Sequence, residues 1–129
     1  MKIEPWLKQA TKELETAGIG TARLDCLVLL EGVTHKDRSW LLAHLGFKLN
    51  ATHIKKLDNQ VGRRAEHEPL AYIRNKTEFY GREFYIDQRV LEPRPESEAM
   101  INLLKSLNLL SNQIIIDVGT GSGALAVTT

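Results

Sequence analysis

The sequence is poor in the features that would place it outside ordinary soluble proteins. It has one cysteine, Cys26, so no internal disulfide can form. Cys26 lies among apolar residues and reads as a small buried hydrophobe rather than a nucleophile. No apolar run approaches the roughly 20 residues that span a bilayer, and Met1-Lys2-Ile3-Glu4-Pro5 lacks the apolar core of a signal peptide. Charge is nearly balanced, at a net +1, so nothing drives the chain as a whole towards nucleic acid or an anionic membrane. The four histidines, His35, His44, His53 and His67, have no metal-ligand spacing, and no metal is expected. There is no nucleophile elbow, no G-x-x-x-x-G-K-[ST] phosphate loop, no internal repeat and no low-complexity segment. These absences point to a cytoplasmic protein without direct nucleic-acid or membrane partners.

What is present centres on residues 113–124, Gln-Ile-Ile-Ile-Asp-Val-Gly-Thr-Gly-Ser-Gly-Ala. Three β-branched residues in a row predict a buried strand of a parallel sheet. A loop with glycine at every second position follows, and Ala124 to Val127 predict the first turn of a helix. Strand, glycine loop and helix start together form a ligand-binding arrangement of α/β folds. Gly119-x-Gly121-x-x-Ala124 fits a dinucleotide fingerprint. Asp117, Gly119, Gly121 and Gly123 fit the D-x-G-x-G-x-G signature of S-adenosylmethionine-dependent methyltransferases. Asp117 separates the two, because a carboxylate suits the amino group of a methionine moiety and repels a pyrophosphate. A tight structural turn is the third reading of the loop.

Upstream, apolar spacing predicts four helices. Residues 3–17 read as an amphipathic helix with Ile3, Trp6, Leu7, Ala10, Leu14 and Ala17 as its apolar stripe and Gly18 as the stop. A nearly all-apolar helix, capped by Thr21, runs to about Glu31 and ends at Gly32; it should be the central one. Asp37 caps a third helix reaching about Leu45. Asn50 or Thr52 caps a fourth, with Ile54, Leu57, Val61 and Ala65 as its stripe. Its basic residues Lys55, Lys56, Arg63 and Arg64 read as a solvated face, with a partner-facing surface as the alternative.

Glu68-Pro69 marks a boundary, and a short helix Leu70–Ile73 follows. Thr77–Tyr80 and Glu83–Ile86 predict a hairpin closed by Gly81-Arg82 in a type II′ turn. Val90-Leu91 predicts another short strand. Pro95 predicts a helix start, with Glu96 and Glu98 in the first turn. Ala99, Met100, Leu103, Leu104 and Leu107 give that helix an apolar face to about Leu110. Arg94, held between two prolines, is a candidate site residue. The chain stops just after a helix has begun, and the reading is of a fragment.

In order, Glu68-Pro69-Leu70-Ala71-Tyr72-Ile73, Glu78-Phe79-Tyr80-Gly81-Arg82-Glu83-Phe84, Val90-Leu91-Glu92-Pro93-Arg94-Pro95-Glu96-Ser97-Glu98 and Asp117-Val118-Gly119-Thr120-Gly121-Ser122-Gly123-Ala124 resemble the HemK/PrmC family, the peptide chain release factor N5-glutamine methyltransferases. The resemblance is specific from Glu68 onward and looser over the helices. It implies transfer of a methyl group from S-adenosylmethionine to the glutamine amide of the Gly-Gly-Gln motif in class I release factors. It also implies an α+β chain acting as a monomer: a helical recognition domain over 1–68, a hairpin connector over 69–90, and the start of a Rossmann-like methyltransferase domain over 91–129. Asp117, Gly119, Thr120, Gly121, Ser122 and Gly123 then hold the cofactor, with Arg94 and Glu96 beside it. The family's catalytic Asn-Pro-Pro-Tyr motif is absent from these residues, so no catalytic residue is assigned and the fragment alone is expected to be inactive. Asn75 stands where the family usually has glycine, Glu92 where it usually has an apolar residue, and Ser97 where threonine is common. A nicotinamide-dependent oxidoreductase, a methyltransferase of another protein glutamine and a non-enzymatic helical binding module remain alternatives.

Overall fold

The computed structural model describes residues 1–107, 109 and 111–129. The chain is mixed, with helices and one two-stranded antiparallel sheet, and divides into two compact units, Met1–Arg74 and Asn75–Thr129. The division falls inside the segment read as a connector. Each unit has its own apolar core.

The first unit is a helical bundle of α1 (Ile3–Thr16), α2 (Ala22–Thr34), α3 (Arg38–Ala43), α4 (Ala51–Ala65) and α5 (Leu70–Arg74). α1 buries Ile3, Trp6, Leu7, Ala10 and Leu14, the stripe its spacing predicts apart from Ala17, which caps the helix and is half-buried. It closes with a Schellman motif, in which the Ile19 and Gly18 N–H groups donate to the carbonyls of Leu14 and Glu15 at 2.9 and 3.0 Å. α2 is the central helix, packed against α1, α3, α4 and α5. It runs past Gly32, contrary to expectation. A mid-helix glycine costs about 1 kcal/mol, but the extra turn buries Val33, and His35 ends the helix in the left-handed conformation.

α3 also differs, stopping at Ala43 rather than near Leu45. The carbonyls of Leu45 and Phe47 instead accept from the N–H groups of Glu4 and Ile3, both at 3.0 Å. These are donors that the first turn of α1 cannot satisfy within its own helix, so the 45–49 segment caps α1 at the expense of α3. Asp37 caps α3 through the Trp40 N–H, and Asn50, not Thr52, caps α4 through the His53 N–H, each at 2.7 Å. The α4 stripe is Leu57 and Val61, fully buried, flanked by Ile54 and Ala65.

The basic residues of α4 are not one solvated face. Arg64 Nε donates to Asp25 Oδ2 of α2 at 2.7 Å, and its Nη1 donates to the Glu68 carbonyl at 3.1 Å. Arg63 Nε donates to Glu68 Oε2 at 2.7 Å. Asp25 is 5% exposed, so the charges at the end of α4 hold the bundle closed. Trp6 Nε1 similarly donates to Asp58 Oδ1 at 3.1 Å, tying α1 to α4. Cys26 is fully buried, and burial pushes its thiol up to about 11.

The second unit opens with β1 (Lys76–Phe79) and β2 (Arg82–Tyr85), paired Lys76 with Tyr85 through Phe79 with Arg82. Asn75, just before β1, has φ +56°, a conformation asparagine tolerates. The turn is one residue earlier than expected. Its central residues are Tyr80 and Gly81, with φ of +52° and +73°, the signs of a type I′ turn and not II′. A bulky side chain at positive φ costs on the order of 1–3 kcal/mol. Its compensation lies in α6 (Glu98–Ser106), which follows a 3₁₀ turn, Pro95–Ser97. The Tyr80 N–H donates to Glu98 Oε1 at 2.8 Å and its hydroxyl donates to Asn102 Oδ1 at 2.6 Å.

Three further expectations fail here. Val90-Leu91 is not a strand. Asp87 accepts from the Arg89 N–H at 2.9 Å and from its guanidinium, which folds the chain into a local turn. Contact with Arg89 lowers the Asp87 carboxyl to about 2. α6 turns Glu98, Ile101 and Asn102 towards the hairpin, whereas Met100, Leu103 and Leu107 of its apolar stripe are exposed. It ends at Ser106; the expected end near Leu110 lies outside the described residues. Residues 113–117 are not a strand either, and Ile114, Ile116 and Val118 are 89%, 80% and 91% exposed. A strand needs a hydrogen-bonded neighbour, and the two strands among the described residues pair with each other. The helix expected after the glycine loop is present as α7 (Ala124–Thr128).

Candidate functional site

The site lies wholly in the second unit. Phe79, fully buried at the end of β1, packs with Ile101 of α6 and Ala124 of α7 to form the small core. Arg82 Nη1 donates to the Val127 carbonyl at 3.1 Å, tying β2 to α7. On this frame a pocket of about 160 Å³ opens between two backbone segments, Pro93 and Arg94 on one side and residues 119–122 on the other, with Phe79 in its lining.

The glycine loop has the backbone its spacing implies. Gly119, Gly121 and Gly123 have φ of +71°, +58° and +81°. A side chain at such φ costs roughly 1–2 kcal/mol per residue. Beyond the adjoining residues, no atom lies within 4 Å of where a Cβ would stand on Gly119 or Gly121, so glycine is required there by conformation and leaves open space at the loop. The Gly123 N–H donates to the Thr120 carbonyl at 2.9 Å, closing the loop onto the start of α7.

Of the sequence-derived site residues, Arg94, Gly119, Thr120, Gly121 and Ser122 line this one pocket. Gly123 stands at the cap of α7. Glu96 is exposed in the 3₁₀ turn and is not part of the pocket lining. Asp117 lines a separate hollow of about 200 Å³ with Ile115 and Ile116, and its Oδ2 is buried with no hydrogen-bond partner among the described residues. A buried carboxylate oxygen without a donor is costly, which suits a position that receives a donor from a ligand. Sequence reasoning missed Phe79, Leu91, Glu92, Ser97 and Leu125 of the lining. Phe79 sits in a conspicuous aromatic run, but only the fold brings that run beside the loop. Among the described residues no group of His, Cys, Asp and Glu is placed to hold a metal ion, and no helix is long and apolar enough to cross a membrane.

The chain is thus two-part, a helical bundle followed by a unit in which a glycine loop and a proline-containing segment line one pocket. A family model described as the PrmC N-terminal domain matches residues 5–74, more than half of the sequence, and the chain belongs to that family. It is 40% identical over 125 residues to a release factor glutamine methyltransferase of Coxiella burnetii, covering 94% of this chain and 45% of the relative. It is 36% identical over 131 residues to a release factor glutamine methyltransferase of Koribacter versatilis, covering 99% and 46%. It is also 32% identical over 145 residues to a bifunctional methyltransferase of Rickettsia typhi, covering 98% and 28%. The chain thus spans less than half the length of these relatives.

Proposed function

We propose that the protein containing this chain is an S-adenosylmethionine-dependent methyltransferase of the glutamine N5 in the Gly-Gly-Gln motif of class I release factors. The observation that carries this reading is the pocket that joins the Pro93-Arg94 wall to the three-glycine loop, in a chain related along almost its whole length to release factor glutamine methyltransferases. In this reading residues 1–68 recognise the release factor, 69–90 connect, and 91–129 begin a Rossmann-like domain in which 114–116 become a strand once neighbours are supplied. The exposed row of Ile114, Ile116 and Val118 and the exposed stripe of α6 support that completion, since apolar surface of this extent favours cover. The protein acts as a cytoplasmic monomer.

The residues present fit the cofactor in chemistry and only in part in size. Open space at Gly119 and Gly121 admits a ligand close to the backbone. The Arg94 guanidinium in the pocket lining suits a methionine carboxylate, whereas Asp117, whose Oδ2 has no partner among the described residues, lines a separate hollow and reaches the cofactor only if that hollow joins the site when further strands are added. A pocket of about 160 Å³ is below the ~300 Å³ at which small-molecule sites begin, so the remaining wall comes from further chain. The cofactor supplies a methyl already activated on a sulfonium. The protein is left with alignment of a weakly nucleophilic amide nitrogen and exclusion of water.

The test is to read the gene beyond codon 129. An acid about 20 residues after the loop and a later Asn-Pro-Pro-Tyr motif are expected. A stop codon at that point would leave no catalytic pocket and favour a helical binding module. Quenching by reduced nicotinamide dinucleotide, with none by S-adenosylmethionine, would favour an oxidoreductase.

A further inference from the structure

Tyr80 is the anomaly of the second unit. It holds the first central position of a type I′ turn, where asparagine, aspartate or glycine is preferred, with φ +52°. Positive φ on a bulky residue is a genuine outlier. Three contacts to one face of α6 hold it there. The backbone N–H donates to Glu98 Oε1 at 2.8 Å, the hydroxyl donates to Asn102 Oδ1 at 2.6 Å, and Lys105 Nζ lies 4.2 Å from the ring centroid. Positions 98, 102 and 105 fall on successive turns of the helix. The residues on either side of this clasp bear on the site. Phe79 precedes Tyr80 and lines the pocket, and Ser97 precedes Glu98 and lines it too, at the end of the rigid Pro93–Ser97 wall.

We propose that Tyr80 and Asn102 are positioning residues, a clasp that sets the Pro93–Ser97 wall at its working distance from the glycine loop and thereby fixes affinity for S-adenosylmethionine. This rests on reading the pocket as the cofactor site. The strained turn is retained because the tyrosine side chain is needed on α6, not because the hairpin needs tyrosine. Strain of this kind is held at sites where the surrounding structure over-determines the geometry.

The test uses the full-length gene product and two substitutions. Tyr80→Asn places the preferred residue in the turn and removes the hydroxyl and ring contacts. Asn102→Ala removes the acceptor from the α6 side and leaves the turn unchanged. Dissociation constants for S-adenosylmethionine are measured by calorimetry, and thermal midpoints on the same samples. The expected result is affinity about tenfold weaker for Tyr80→Asn and several-fold weaker for Asn102→Ala, with a thermal midpoint for Tyr80→Asn at or above that of the parent. Tyr80→Phe, which keeps the ring over Lys105, is expected to fall between Tyr80→Asn and the parent. A merely structural role predicts the opposite pairing, with altered thermal midpoints and unchanged affinity. Parental affinity in both Tyr80→Asn and Asn102→Ala overturns the clasp while leaving the cofactor site intact. Absence of binding by the parent protein removes the cofactor reading and the clasp with it.

Discussion

Replacing Arg64 with alanine should be the most damaging single change in the helical unit outside its apolar core. Arg64 Nε pairs with Asp25 Oδ2 at 2.7 Å, and the two side chains are 19% and 8% exposed. Removing one partner of a buried pair costs about 3–5 kcal/mol, chiefly because the other charge stays buried. Arg64 is not fully buried, which puts the cost near the lower end, at about 3 kcal/mol. For a domain of this size each kcal/mol moves the thermal midpoint by about 4–8 °C, so a fall of about 12–24 °C is expected. Both tryptophans, Trp6 and Trp40, lie in the first unit, so tryptophan fluorescence follows this unit alone. The double change Asp25→Ala with Arg64→Ala should be less destabilising than Arg64→Ala, since no carboxylate is stranded. A single variant within 0.5 kcal/mol of the parent would mean that the pair does not hold the bundle and would return α4 to a simple solvated face.

Three further outcomes concern the helix caps and Cys26. Asp37→Ala and Asn50→Ala should each cost about 1 kcal/mol in urea unfolding, because each removes the acceptor for a first-turn N–H; no change in midpoint would mean the caps are replaced by water. Cys26, raised from 9.0 to about 11 by burial, stays a thiol in the folded chain after the unfolded chain has begun to ionise. Stability should therefore be flat in this respect below about pH 8. It should fall between about pH 9 and 11 by on the order of 2 kcal/mol, a slope that Cys26→Ala loses. Thiol reagents should reach Cys26 only on unfolding.

The helical unit was largely legible because its information is local. Caps at Asp37 and Asn50, the stripe of α1 and the stop at Gly18 each act within one or two turns. The end of α2 was misread because Val33 gains more from burial than Gly32 costs. The end of α3 was misread because a distant partner, the start of α1, takes the 45–47 carbonyls. Asp25 looked like an ordinary charge in a first helical turn; only the packing of α4 shows that it is buried against Arg64. In the second unit the positive φ of the loop glycines was legible from their spacing. The hairpin turn was not, because its register depends on Glu98 and Asn102, which lie 18 and 22 residues further on. The strand at 113–117 fails for a different reason: its sequence suits a sheet, and the described residues supply no neighbour.

In the proposed function a methyl group passes to a release factor from a cofactor held at the glycine loop. The most direct measurement incubates the full-length gene product with a class I release factor and methyl-labelled S-adenosylmethionine, and locates the label by mass spectrometry. A parallel reaction uses Gly121→Val, which places a β-branched side chain at φ +58°, a conformation it resists. Label is expected on the side-chain amide of the Gly-Gly-Gln glutamine, reduced at least tenfold by Gly121→Val with the protein still folded by circular dichroism. Label on another residue, no transfer, or transfer unaffected by Gly121→Val would contradict the proposed function.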